Sequence, residues 1–448
     1  MADKEDIAAT PPTPVSFFDP AVKHVRRRVY LQWSRIVGFL ALFVLVVLSL
    51  YWGVQNDTER KLTHLKVWVV DFDGQTDDSR TSNPIVGPAV INAVPQFANS
   101  QESHLGYEIK NASEFNNDVL AVRQAVYDEK AFAAIIVNTN ATELLRRAVS
   151  QQNTSYDPNG AIQTVVVTAR DQSTYGSYVL PGLTNFQHAV LASFGPQWVQ
   201  NLINNNTNMS SVPPQAINPA IGFTEIDLRP FKPAVAGPAV AIGLIYLIIV
   251  AFFNFPFLMP IHAQLIKPSP SNPPVKMSQW LIWRICSNIL AYFFMSFFYS
   301  LVSLAYGIPF TNSPAPATVS VANANAYGHG SFVVYWMLNW VGMAALGFPC
   351  ENMAMVLGAP WSALFLIFWV ITNVATGFYP LEVANAFYRW GYAWPLHRIV
   401  EASRTIMFGT HSRIGLDFGI LLAWVGISIA FFPFASFIMR WKMRRGWA

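Results

Sequence analysis

Six stretches of this chain run close to twenty residues with almost no charge, and no other feature restricts its fold as much. A bilayer core about 30 Å thick takes roughly 20 residues of helix, and backbone inside hydrocarbon has to bond to itself. The stretches are Ile36 to Val54, Val235 to Phe257, Trp280 to Tyr306, Phe332 to Cys350, Trp361 to Tyr379 and Phe418 to Met439. The first, IVGFLALFVLVVLSLYWGV, carries no charge, and the third carries Arg284 near its start. The fourth and fifth are joined by ENMAMVLGAP, a tight turn with Glu351, Gly358 and Pro360. Composition agrees, since 53% of the 448 residues are apolar and only 12% are charged. The expected fold class is a multi-pass α-helical membrane protein with six transmembrane helices.

The first run reads as an uncleaved anchor, because 35 residues precede it and no small-residue cleavage pattern follows. Lysine and arginine counts orient the chain. Residues 1–35 carry six, the 258–280 loop two and the residues after Met439 four; opposite them, the 307–331 loop carries none and the 380–417 loop four. Twelve against four places both termini in the cytosol. The net charge of +4 sits in short blocks beside apolar runs, which reads as orientation and not as a nucleic-acid surface. The expected order is a disordered basic cytosolic leader (1–35), a first helix (36–54), an exoplasmic domain (55–234), a membrane domain with five helices (235–440) and a basic cytosolic tail (441–448).

Residues 55–234 alternate strand and helix patterns. LKVWVVDFDG is a β-branched run closed by a turn, LGYEIKN a second strand, SEFNNDVLAVRQAVYDEK a helix capped by Ser113, AFAAIIVNTN a strand, ATELLRRAVSQ a helix and AIQTVVVTARD a strand. Such alternation predicts an α/β domain inserted between helices 1 and 2, with enough residues for its own core. Six Asn-x-Ser/Thr sequons fall in this segment; Asn111, Asn140, Asn153, Asn205 and Asn208 are the candidate glycosylation sites, and Asn56 lies too near the membrane. Chance in an asparagine-rich surface is the competing explanation.

Catalytic signatures are missing from the sequence. There is no phosphate-cradling G-x-x-x-x-G-K-[ST], no G-x-S-x-G elbow, no H-E-x-x-H pair, and the eight histidines show no metal-ligand spacing. Asp71 and Asp73 read as a strand-end turn. Cys286 and Cys350 lie in different spans and read as free structural thiols. No enzyme activity, cofactor or metal is expected. The segment KPSPSNPPVK (Lys267 to Lys276) reads as an extended connector or a partner-binding stretch.

Polar residues inside the spans are more informative, because lipid offers them no partner. Asn254, Asn288, Asn339 and Asn373 occupy four different spans and serve either as inter-helical glue or as a polar translocation path. Between the last two spans, FYRWGYAWPLHRIVEASR (Phe387 to Arg404) mixes aromatics with cations. As a full span it would place Arg389, Arg398 and Arg404 in hydrocarbon at about 2.5 to 3.5 kcal/mol each. An interfacial amphipathic hairpin avoids that, with Pro395 opening its second helix and Trp394, Glu401 and the arginines at the surface.

In layout this chain resembles the fungal nitrosoguanidine-resistance membrane proteins, which are in turn similar to ABC-2-type permeases and bacterial phage-infection-type proteins. The residues that carry the likeness are LKVWVVDFDG, AVRQAVYDEKAFAAIIVNTNATELL and, above all, the order TGFYPLE, YAWPL, EASRTI within 371–419. The resemblance implies short exoplasmic helices before the last span that dip into the bilayer, with arginines at lipid head groups. It further implies export of amphipathic small molecules or lipids in resistance to toxic compounds, in the plasma membrane or an endomembrane, with membrane lipids and a homodimer as partners. The rival is a non-transporting organiser or regulator that responds to membrane stress.

Overall fold

The computed structural model describes residues 14–74, 83–98, 100, 102–267, 273–310 and 327–445. Residues 1–13 of the expected leader and 268–272 of the proline-rich connector lie outside this set.

Helix α1 runs Lys23–Gly53. The leader expected to be disordered through residue 35 is thus helical from Lys23, and the physical reason lies at its start. Asp19 accepts a bond from Ala21 N at 2.8 Å and Pro20 opens the first turn, so a helix is nucleated there and propagates into the apolar run without a break.

An α/β unit follows. Strands β1 Lys66–Asp71, β2 Gly106–Lys110, β3 Ala133–Val137, β4 Ile162–Val166 and β5 Phe223–Asp227 form one sheet in the order β2-β1-β3-β4-β5. β1 pairs in parallel with β2 and β3, β4 runs antiparallel to β3, and β5 is parallel to β4. Side chains alternate between two cores: Val67, Val69 and Ile135 face one, Trp68, Val70 and Ile136 the other. Helices α2 Val86–Ala98, α4 Ala141–Ser150 and α5 Leu180–Asn204 cover the first face, and α3 Val119–Tyr127 covers the second. Burial on both faces explains why β1 and β3 read as unbroken apolar runs. Ser113 is not the α3 cap: Asn116 and Asn117, both at φ 56°, break the chain after a short 3-10 turn, and Asp118 caps α3 by accepting from Leu120 N at 2.8 Å.

The remaining helices are α6 Ile245–Gln264, α7 Met277–Ala305, α8 Ser331–Leu357, α9 Trp361–Gly377, α10 Pro395–Phe408 and α11 Ile414–Arg444. Among the described residues five helical stretches are long and apolar enough to cross a membrane, and α9, also apolar, has 17 residues. The tail expected from residue 441 is the last turn of α11 up to Arg444. α8 is the hub, touching α6, α7, α9, α10 and α11. Small residues permit this: a Cβ on Gly347 would clash with the Tyr292 hydroxyl and come within 3.0 Å of Ala251 Cβ.

Candidate functional site at the junction of the two units

The second half of the sequence between α9 and α11 packs into the protein instead of standing free as a surface hairpin. Residues 386–393 form a 3-10 turn, and Pro395, free of any need for an N–H bond, opens α10. α10 is buried along most of its length, packed between α8, α9 and α11. This corrects the expectation of arginines reaching lipid phosphates. Arg398, 4% exposed, places Nη1 at 2.7 Å from Glu401 and 3.3 Å from Asp417, and its Nε donates to the Tyr392 carbonyl at 2.6 Å. Arg404 lies 3.7 Å from Asp171 and donates to the Arg170 carbonyl at 2.6 Å. Arg413 meets Glu129 at 3.0 Å and Glu401 at 3.7 Å. Protein carboxylates supply the counter-charge of Arg398, Arg404 and Arg413 that the sequence reading assigned to lipid; Arg389, like Arg413, is exposed. Trp394 is half-buried and donates to Thr372 Oγ1 at 3.2 Å.

These pairs join the two units. Tyr127 and Arg229 from the α/β unit both donate to the Gly409 carbonyl, at 3.0 and 3.1 Å, while Arg170 faces Glu382 at 3.5 Å and His411 faces Asp128 at 3.6 Å. Between them opens a cleft of about 330 Å³. Lys66, Lys130, Arg170, Arg404 and Arg413 line it with Glu129, Asp171, Glu382 and Glu401, together with His64, His397 and His411. The end of α9 and the residues after it, from Gly377 to Glu382, also line it. Burial pushes the Glu401 carboxyl up, but His397, Arg398 and Arg413 outweigh it and hold the group at about 2. Five cationic side chains and four carboxylates thus face one another across the cleft. Sequence reasoning singled out Glu401 and Arg404 here. It missed Arg170, Asp171, Glu129 and Glu382, whose partners lie far away in the chain and leave no local spacing to read.

The four membrane asparagines do not converge. Asn254 donates to Asn288 at 3.1 Å, and Asn288 donates to Glu351, which also pairs with Arg284. Arg284 and Glu351 are 0% and 2% exposed, and the guanidinium lies 4.8 Å from both the Trp280 and Phe432 rings. Asn339 donates to Ser300 at 2.9 Å, a separate site. Asn373 caps α10, accepting from Leu396 N at 3.1 Å and donating to the Trp369 carbonyl at 2.9 Å. All four carry inter-residue bonds.

Elsewhere, Asp73 ties β1 to two helix starts by accepting from Thr142 N at 3.0 Å and Gly87 N at 3.4 Å. Burial, with the Asp73 charge adding to it, raises the Asp71 carboxyl to about 6 against a bond from Asp73 N. Cys286 and Cys350 are free thiols. Asn111, Asn153, Asn205 and Asn208 are exposed and Asn140 half-buried.

Comparison with known proteins adds two likenesses. A family profile described as a protein of unknown function, DUF3533, matches residues 36–430. Over 455 residues the chain is 27% identical to an uncharacterized endoplasmic reticulum membrane protein of Saccharomyces cerevisiae, covering 97% of this chain and 85% of that protein. No solved structure matches. With several apolar spans and a membrane-protein relative, the chain is a multi-pass membrane protein.

Proposed function

The chain belongs to the DUF3533 family, and on that premise we propose that it moves amphipathic small molecules or lipids across its membrane, with the junction cleft as the binding site. The cleft carries the reading: a pocket of about 330 Å³ lined by charged side chains and set against the ends of apolar helices suits a molecule with a charged head and an apolar body. The resemblance to nitrosoguanidine-resistance proteins and ABC-2-type permeases supports it. In this reading α9 is a sixth span, its 17 residues covering about 25 Å. Both termini are cytosolic and the α/β unit is exoplasmic. The yeast relative's location supports the endoplasmic reticulum in place of the plasma membrane, with the unit in the lumen.

The sequence holds no phosphate-cradling loop, so the movement proposed for the chain alone is down a gradient. Full-length protein reconstituted in vesicles should release a trapped fluorescent amphipath or equilibrate a labelled lipid between leaflets. Arg404→Gln with His397→Ala should slow it at least tenfold in folded protein. Rates equal to those of protein-free vesicles sink the proposal. Endoglycosidase treatment tests the side: a mass shift abolished by Asn→Gln at 111, 140, 153, 205 and 208 supports an exoplasmic unit.

One observation favours the organiser reading. The membrane asparagines are all bonded to neighbouring residues, so the described bundle interior presents them as glue. Unchanged flux combined with altered lipid composition in cells lacking the protein supports that reading.

A further inference from the structure

α1 is longer than a bilayer requires. Its 31 residues reach about 46 Å, against about 30 Å of hydrocarbon. The charge-free part begins at Ile36, so Lys23 to Arg35 continue as rigid helix out of the membrane, on the side opposite the α/β unit. At about 100° per residue, Lys23, His24, Arg27, Arg28 and Arg35 fall within one sector roughly 140° wide centred near Leu31, and these residues line a shallow surface groove. All of them are exposed.

What separates this cluster from the arginines of the bundle interior and the junction that carry ion pairs is counter-charge. Arg170, Arg284, Arg398, Arg404 and Arg413 each face a carboxylate. Among the described residues no carboxylate lies within ion-pair distance of Lys23, Arg27, Arg28 or Arg35, for which no such pair is found. Arg26 points elsewhere, donating to the Phe17 carbonyl at 2.5 Å and lying over the Phe17 and Phe18 rings. Between Lys23 to Arg28 and the hydrocarbon stand Tyr30 and Trp33, both exposed, at the depth that interfacial aromatics prefer. Arg35 is then at the hydrocarbon edge, and Arg27 and Arg28 lie roughly 12 Å further out, within about one Debye length of the phosphates.

We propose that this face binds anionic phospholipid, forming a head-group collar on the leaflet opposite the α/β unit. The missing counter-charge is lipid phosphate, and the one-sided cluster next to an aromatic pair matches a charged surface seen from a helix emerging through it. Each cation near such a surface favours anionic lipid by about fivefold at low salt.

The test uses full-length protein in micelles holding equal phosphatidylserine and phosphatidylcholine, with bound lipid counted by native mass spectrometry. Wild type should retain phosphatidylserine preferentially. Arg27→Gln with Arg28→Gln should cut that preference roughly twentyfold, whereas Arg→Lys at both positions should keep it. Arg147→Gln, an exposed cation of the α/β unit outside the cleft, should leave it unchanged. Millimolar inorganic phosphate should not compete, and competition would reassign the site to free phosphate. No preference in wild type, or a full preference in a folded Gln variant, overturns the proposal.

Discussion

Arg284 and Glu351 are the residues whose separation the fold tolerates least. Both are buried among apolar helices, so removing one partner strands a charge at a cost of about 3 to 5 kcal/mol. Arg284→Met or Glu351→Gln should each lower the melting temperature of the detergent-solubilised protein sharply, while Arg284→Met with Glu351→Leu should recover much of the loss. A double variant no better than either single one would refute this account of the pair. Asp71 gives a second prediction. Its folded value of about 6 lies above the ordinary 3.8, so the folded state takes up a proton first and stability rises as pH falls from about 6 toward 3.8. Asp71→Asn should flatten that rise in a melting-versus-pH series. Glu401 works in the opposite sense: held at about 2, its contribution is full above 4.5 and fades as pH falls toward 2. The sequence flagged Arg284, Glu351 and the asparagines individually, because charge in an apolar run stands out in any reading. Their partnerships were not legible, since Arg284 and Glu351 are 67 residues apart and meet only when α7 and α8 cross.

At the level of elements, the contact of α8 with α6 and α7 depends on small side chains. Gly347→Val should destabilise the protein by about 1 to 3 kcal/mol through overpacking against Tyr292 and Ala251. Gly38→Val in α1, where a Cβ meets nothing within 4 Å, should cost far less in the same melting assay. Equal effects would show that helix propensity and not close approach governs both sites. Elements with a strong local period were readable: β1, β3, β4 and α4 lie where the pattern placed them. α5 and β5 were not anticipated. α5 carries Pro196 within it and has a poorly segregated apolar stripe, and β5 is a short edge strand with exposed side chains at Thr224 and Glu225. α10 was legible as a helix, but its surroundings were not, because Glu401 and Asp417 turn what reads as a surface helix into an internal one.

For the whole molecule, the α/β unit and the helix bundle are held together by a few long-range pairs. Arg404→Ala with Arg413→Ala should leave each unit folded but loosen their joint, seen as faster amide exchange around Tyr127 to Glu129 and Gly409 to His411 with α8 unchanged. Protection equal to wild type at the joint would mean that the remaining contacts suffice. The same joint imposes an order in time. The unit's last strand ends at Asp227, and the carbonyl that Tyr127 and Arg229 both require belongs to Gly409, 180 residues beyond Arg229. At about 5 to 20 residues per second, synthesis leaves that surface uncovered for roughly ten to thirty-five seconds. A nascent chain therefore waits with Arg229 and Glu129 lacking their partners Gly409 and Arg413 until those residues arrive. A ribosomal pause or truncation anywhere between the second span and α10 leaves a finished sheet whose docking residues Tyr127, Glu129 and Arg229 stay uncovered.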